Sequence, residues 1–397
     1  MKQETPLANR KHIGIFGSTN AGKSTLFNQI IGQELAIVSQ QPGTTTDPIV
    51  KGMELIPYGP VALIDTAGFG DVSVLGEKRL SKTMQILDRS DYIIYAVDCQ
   101  EALQNDIETI TRQFGETPYT IVVTKTDLLQ SDEKNILQNK LTGAKFVNHK
   151  DEKSILMLKE FLASELQKMS KEDDNQLKGL LSGGDHVVMV VPIDSEAPKG
   201  RLILPQVAFL RECLDLDVVC TVTKEETLNE TIRKLPKVDL VVTDSQIFKS
   251  VAEIVPAEIP LTSFSMLLAH QKGDFKTMLS SCEVIPALHP GDKILMLEAC
   301  THHHTHEDIG RVKIPKLLQK KIGGTLQFEY YVGYDFPSDL SQYKLAIHCG
   351  GCMITKKAML SRIEKCKTAG LPITNYGVVL AYLNGISDRC SEVFFRE

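Results

Sequence analysis

Cys300, His302, His348, Cys349 and Cys352 spell CxH followed, further along the chain, by HCxxC. Three thiolates are one short of the four protein ligands that close a tetrahedral zinc site or an ordinary [4Fe-4S] cluster. The pattern therefore suggests a metal centre with one exchangeable position, where chemistry or cargo docks. CxxC also suits a redox dithiol, but that motif opens a helix in a different βαβ setting; here His348 precedes it directly and Cys300 and His302 wait upstream. Zinc is the serious competitor, because Cys300, Cys349, Cys352 and either histidine make a Cys3His set. Spacing alone leaves zinc and iron-sulfur level. His303, His304 and His306 extend the histidine run, of which one or two can face one metal. Cys99, Cys213, Cys220, Cys282, Cys366 and Cys390 lie in apolar segments without partner spacing and read as small buried residues.

A second set of chemical residues lies near the N-terminus. Gly17, Ser18, Thr19, Asn20, Ala21, Gly22, Lys23 and Ser24 form GxxxxGKS, directly after the strand-like HIGIF and before the helix-like STLFNQIIG, with Thr25 opening the helix. Backbone amides of such a loop face phosphates, Lys23 neutralises their β/γ oxygens, Ser24 ligates Mg2+, and the helix N-terminus adds partial positive charge. Pro42-Gly43-Thr44-Thr45-Thr46-Asp47 occupies the first switch position. Asp65-Thr66-Ala67-Gly68 ends the run VALID, and Thr124-Lys125-Thr126-Asp127 ends YTIVV. Order and spacing match a guanine-nucleotide domain. Asp127 is expected to accept from guanine N1 and the exocyclic amine, with the Lys125 stem over the base, and Gly68 to donate to the γ-phosphate so that switch II senses hydrolysis.

The elements that must position these groups read as three α/β units. HIGIFG, VALID, YIIYAVD and YTIVVT are buried strands between helical segments, the rhythm of a parallel sheet. Residues 1–169 form this first domain and the polar 170–178 a linker. Over 179–264 the rhythm restarts with no glycine-rich phosphate loop, which suggests an α/β assembly domain and a homodimer. In 265–397, KILMLEAC and KLAIHCGGC are strands ending on the cysteines, where α/β domains place ligands.

At 397 residues the chain has room for two or three cores. Its net charge of −6 argues against a nucleic-acid partner, and no apolar run reaches the ~18 residues that span a bilayer. The N-terminal residues lack an apolar export signal, so cytoplasmic is the expectation, with reduced thiols.

Over residues 11 to about 165 the nucleotide motifs resemble the TrmE/Era/EngA group of GTPases. The resemblance implies that Thr45 is the switch I Mg2+ threonine. It also implies that Asn20 helps hold K+, with Phe69 standing where Ras-like enzymes carry the water-orienting glutamine, and hence slow, K+-stimulated hydrolysis of GTP to GDP. Thr124 departs from the group's usual asparagine, and Phe146-Val147-Asn148-His149 occupies the place of its last base-contacting loop.

With APKGRLILPQ at 197–206 and the C-terminal CxH…HCxxC, nearly the whole chain resembles the [FeFe]-hydrogenase maturation GTPases. That family implies a scaffold with a [4Fe-4S] cluster on Cys300, Cys349 and Cys352 and a diiron subcluster precursor held as cargo. Its partners would be the hydrogenase and its radical-SAM maturases. His302 and His348 are then a weak fourth ligand or supporting groups, and Asp194 or Glu196 could instead supply an oxygen ligand. Two other readings are a ribosome- or RNA-associated GTPase with a structural zinc module and a metal-insertion GTPase serving another enzyme.

Overall fold

The computed structural model describes residues 5–32, 48–66, 82–104, 107, 111–169, 175–194, 200, 202–299 and 308–395. It divides into two compact units, Met1–Glu172 and Asp173–Glu397.

In the first unit, runs of apolar residues too continuous for a half-exposed sheet become central parallel strands. β1 (Lys11–Phe16) leads through the phosphate loop into α1 (Lys23–Ile31), and β2 (Ile49–Leu55) and β3 (Gly59–Asp65) follow as a hairpin. Next come β4 (Tyr92–Asp98), α2 (Cys99–Gln104), β5 (Tyr119–Thr124), α3 (Ser131–Lys140), β6 (Lys145–Phe146) and α4 (Glu152–Met169). The sheet order is β2-β3-β1-β4-β5-β6. The expected all-parallel rhythm is thus edged by one antiparallel strand, β2, paired Ile49 to Asp65 through Leu55 to Gly59. Successive residues serve opposite faces: Leu63 packs with Leu26 of α1 and Leu162 of α4, whereas Ile64 packs with Phe16 and Phe114.

The second unit holds two four-stranded parallel sheets. The first comprises β7 (His186–Val190), α5 (Leu204–Asp215), β8 (Val219–Thr223), α6 (Glu225–Lys234), β9 (Leu240–Thr243), α7 (Phe248–Ile254) and β10 (Leu261–Ser263). α8 (Phe264–Lys272) and α9 (Phe275–Ser280) lead to the second, made of β11 (Lys293–Glu298), α10 (Ile314–Ile322), β12 (Gln327–Val332), β13 (Tyr343–His348), α11 (Lys356–Thr368), β14 (Ile373–Asn375) and α12 (Tyr376–Leu383). Of the expected linker, 170–174 lies outside the described residues, while Leu177 is buried in this unit's core and Gln176 N donates to Glu212 Oε2 at 3.2 Å.

The two sheets repeat one another. Their orders, β10-β9-β7-β8 and β14-β13-β11-β12, are the same in chain sequence. The register agrees residue for residue: Val241 lies between Val188 and Leu261 as Ala346 lies between Leu295 and Ile373. Each fourth strand ends on a capping side chain. Ser263 accepts from Met266 N to open α8, and Asn375 accepts from Gly377 N to open α12. The primary structure keeps traces of this: Leu261-Thr262-Ser263-Phe264 matches Ile373-Thr374-Asn375-Tyr376, and GRLILPQ at 200–206 matches GRVKIPK at 310–316. Superposed in this register, Thr243 falls on His348 and Asp244 on Cys349.

Candidate functional site

In the nucleotide site, the loop between β1 and α1 needs its glycines. A side chain on Gly17 would run into the Ala96 carbonyl oxygen, and Gly22 caps α1 at φ 80°. Asn20 adopts the left-handed region at φ 65°, which its short polar side chain tolerates. Lys23 folds back to donate to Ser18 O at 2.7 Å, and burial pushes its ammonium down to about 8 against the opposing pull of Asp65 and Glu101. Ser18 Oγ donates to Glu101 of α2. Ser24 Oγ donates to Asp65 Oδ2 at 2.7 Å, while Asp65 Oδ1 is buried with no partner among the described residues. A hydroxyl, a buried carboxylate and an orphaned oxygen at one strand end fit the oxygen donor set of Mg2+. Thr45, Gly68, Phe69 and the rest of both switches lie outside the described residues.

Thr124 turns inward, donating from Oγ1 to Ala21 O at 2.8 Å and Val97 O at 3.2 Å, so it ties the phosphate loop to β4. Lys125, at φ 53°, reaches Asp98 at 2.5 Å. Asp127 is met by Lys150 Nζ at 3.0 Å and His149 Nδ1 at 3.9 Å, and the Lys150 bond holds its carboxyl below the usual range. Asp127, the carboxylate expected to read the base, thus has an ammonium and an imidazole beside it from the loop after β6. Glu101, Asp98 and Lys150 had escaped the sequence reading, because Asp98 ends β4, Glu101 lies in the helix after it, Lys150 follows β6, and none belongs to a motif.

In the second unit, β11 and β13 are neighbours with Leu297 opposite His348, so the segments that follow them start side by side. Cys349 N donates to Leu297 O at 2.9 Å. Ala299 N donates to Cys349 Sγ at 3.1 Å. Burial raises both thiols, Cys352 to about 11. Protons on buried thiols with an N–H aimed at one sulfur are a state that metal ligation relieves, so the described part of the donor set fits a thiolate-bound cluster. Cys300, His302, His303, His304, His306 and Glu196 lie outside the described residues.

His348 is wholly buried and committed on both ring nitrogens. Its Nδ1 lies 2.7 Å from Cys349 O, which requires Nδ1–H, and its Nε2 lies 2.7 Å from Arg362 Nη1 and must accept. Burial first, then Arg362, pushes the ring down to about 3, a neutral imidazole. In this arrangement His348 holds the peptide of Cys349.

The carboxyl ends of both sheets converge here. Ser265 Oγ donates to Asn375 Oδ1 at 2.9 Å, and Asn375 Nδ2 donates to Cys349 O at 3.4 Å. Lys272 of α8 donates to Gly351 O at 3.1 Å and Ile354 O at 2.9 Å, on either side of Cys352. Asp194 follows β7 and acts on Asp244, whose carboxyl burial pushes up, while Lys313 donates to Gln246 O. Tyr376 is buried with its hydroxyl unpartnered among the described residues. The remaining cysteines are mostly core residues, as expected, but Cys213 and half-buried Cys220 are close enough for each to shift the other's thiol, Cys213 upwards and Cys220 downwards, a pairing their spacing did not disclose.

Among known proteins, residues 12–125 match the family model described as 50S ribosome-binding GTPase. The tRNA modification GTPase MnmE of Acetivibrio thermocellus is 32% identical over 134 residues, 34% of this chain and 29% of that one. MnmE of Christiangramia forsetii is 34% identical over 145 residues, 34% of this chain and 30% of that one. The chain thus spans less than a third of the length of these two relatives. Among solved structures, Era of Aquifex aeolicus bound to GDP and aluminium fluoride covers 56% of this chain and 97% of that one at 18% identity, with a TM-score of 0.35. Among the described residues, no helix is long and apolar enough to cross a membrane. Residues 176–273 match the hydrogen maturase F dimerization domain, and 276–393, where the sequence placed the iron-sulfur domain, match the hydrogen maturase F tetramerization domain. With a GTPase domain ahead of both, the chain belongs to the hydrogen maturase F family.

Proposed function

We propose that this chain is a GTP-regulated scaffold in [FeFe]-hydrogenase maturation. In this reading Cys300, Cys349 and Cys352 hold a [4Fe-4S] cluster, and a diiron precursor made by radical-SAM maturases is carried beside it and delivered to the hydrogenase. The cluster supplies an iron with a replaceable fourth ligand, to which cargo can attach. The observation that carries the reading is the adjacency of β11 and β13, with Ala299 N–H aimed at Cys349 Sγ in a chain of this family. In this reading Asp194 or Glu196 is the protein oxygen donor that competes with cargo for that position.

In the first unit, Lys23 neutralises phosphate oxygens, and Ser24 with Asp65 and Thr45 holds Mg2+ against them. Asp127 selects guanine. Asn20 assists K+, and hydrolysis is slow because Phe69 cannot orient water. The γ-phosphate, through Gly68, biases the switches and so the affinity for a partner. A homodimer through 176–273 in the cytoplasm completes the picture.

The test is reconstitution. Anaerobically cluster-loaded protein carrying precursor should activate an immature [FeFe]-hydrogenase, read as hydrogen evolution, and Cys349→Ser protein should not. A colourless wild-type protein containing zinc instead of iron would sink the proposal.

A further inference from the structure

Arg362 of α11 is one of the few buried cations of the second unit, 5% exposed. Among the described residues its hydrogen bonds all go to neutral acceptors. Nη1 donates to His348 Nε2 at 2.7 Å; Nη2 donates to Gly333 O at 2.6 Å and Asp335 O at 3.2 Å. The ring of Phe336 lies 5.9 Å from the guanidinium carbon. The Asp335 carboxylate belongs to an exposed residue and acts only from a distance. Contrast Arg311 in the same domain, which lies 2.8 Å from Glu298. Arginine stays protonated in proteins, and a buried charge without an opposite charge costs several kcal/mol. Among the described residues no carboxylate pairs with Arg362, so an anion forming near it would be stabilised.

The chain leads to one place where such an anion forms. Arg362 holds Nε2 of His348, and His348 Nδ1–H holds the carbonyl of Cys349. Cys349, at the end of this hydrogen-bonded chain, is one of the three proposed cluster ligands. A [4Fe-4S] core of charge 2+ bound by three thiolates carries net negative charge, and one-electron reduction adds another. We propose that Arg362 is the buried counter-charge of the cluster and, through His348, the positioning residue for Cys349, so that it sets the cluster's reduction potential. A fixed cation stabilises the reduced state more than the oxidised one, as does the Ala299 N–H, so both raise the potential. This inference rests on the cluster reading proposed above.

The test uses the full chain, reconstituted anaerobically with iron and sulfide. Arg362→Gln and Arg362→Lys are compared with wild type by iron content and by EPR-monitored reductive titration. Arg362→Gln should shift the midpoint to a more negative potential, while Arg362→Lys, which keeps the charge, should remain close to wild type. An Arg362→Gln midpoint equal to wild type at equal iron content overturns the proposal. Where Arg362→Gln does not accumulate as folded protein, Arg362→Lys decides: a midpoint near wild type supports the counter-charge, and a large negative shift with the charge retained overturns it. Failure of the cluster reading looks different, because wild type itself would then take up no iron, and this inference would fall with it.

Discussion

At the scale of single residues, Lys23 makes a prediction with a sign. Its ammonium is buried in the phosphate loop with a main-chain acceptor, and burial lowers it to about 8. Nucleotide phosphates bring negative charge and raise it again. Below the free value Lys23 is charged with or without nucleotide, so GDP affinity should be flat. Above it, binding must take up a proton, and affinity should fall by up to about tenfold per pH unit until the bound value is reached. Isothermal titrations between about pH 7 and about pH 9, below the ionisation of guanine itself, would read this as weakening affinity together with proton uptake from buffers of different ionisation enthalpy. Flat affinity without proton uptake at the upper end would mean that the lysine is already solvated in the free protein. Folding stability of the nucleotide-free unit follows the same lowered value with the opposite consequence. The unfolded chain binds more protons between the folded and ordinary lysine values, so stability should rise with pH across that window.

At the scale of elements, what was legible in the sequence divides by range. β1, the phosphate loop and α1 could be read because their signals are contiguous: an apolar run, spaced glycines, then a helix. The strands before Cys300 and Cys349 could be read for the same reason. β2 was missed, since IVKGMEL alternates weakly and pairs with β3 as an edge strand, half-exposed along most of its length. Arg362 was missed because its partner His348 lies 14 residues earlier on a different element, and no spacing rule connects a strand end to a helix face. The repeat within the second unit was visible as paired short strings but too diverged for composition to announce it. α11 offers a test of how firmly an element holds the cysteine loop. Thr355 accepts from Ala358 N at 3.2 Å and is itself buried, so it caps the helix that carries Arg362. Thr355→Ala should cost about 1 kcal/mol in urea unfolding of the second unit, and Thr355→Ser should recover most of it. Equal midpoints for all three proteins would show that the helix end is held by packing alone.

At the scale of the molecule, the placement of the cores predicts how it comes apart. The first unit owns two apolar clusters, one on each face of its sheet, and neither includes a residue of the second unit. In the second unit the boundaries of the family segments are not boundaries of packing. One cluster joins Val188, Val190 and Val241 of the first sheet to Leu295, Leu297 and Ile347 of the other, and Met266 and Met278 of α8 and α9 sit within it. Two sheets that share a core and cross-linking bonds such as Ser265 to Asn375 should unfold together. Differential scanning calorimetry of the full chain should therefore show two transitions, not three. GDP at about one hundred times its dissociation constant should stabilise one of them by about 2.7 kcal/mol and leave the other in place. Cluster loading should move the other transition and leave the nucleotide-sensitive one. Three transitions would mean that the dimerization and tetramerization segments fold separately, against the shared core. If GDP moved both transitions together, the units would be energetically coupled, and that coupling would be the first direct sign of a route by which a γ-phosphate could reach the cysteine loop.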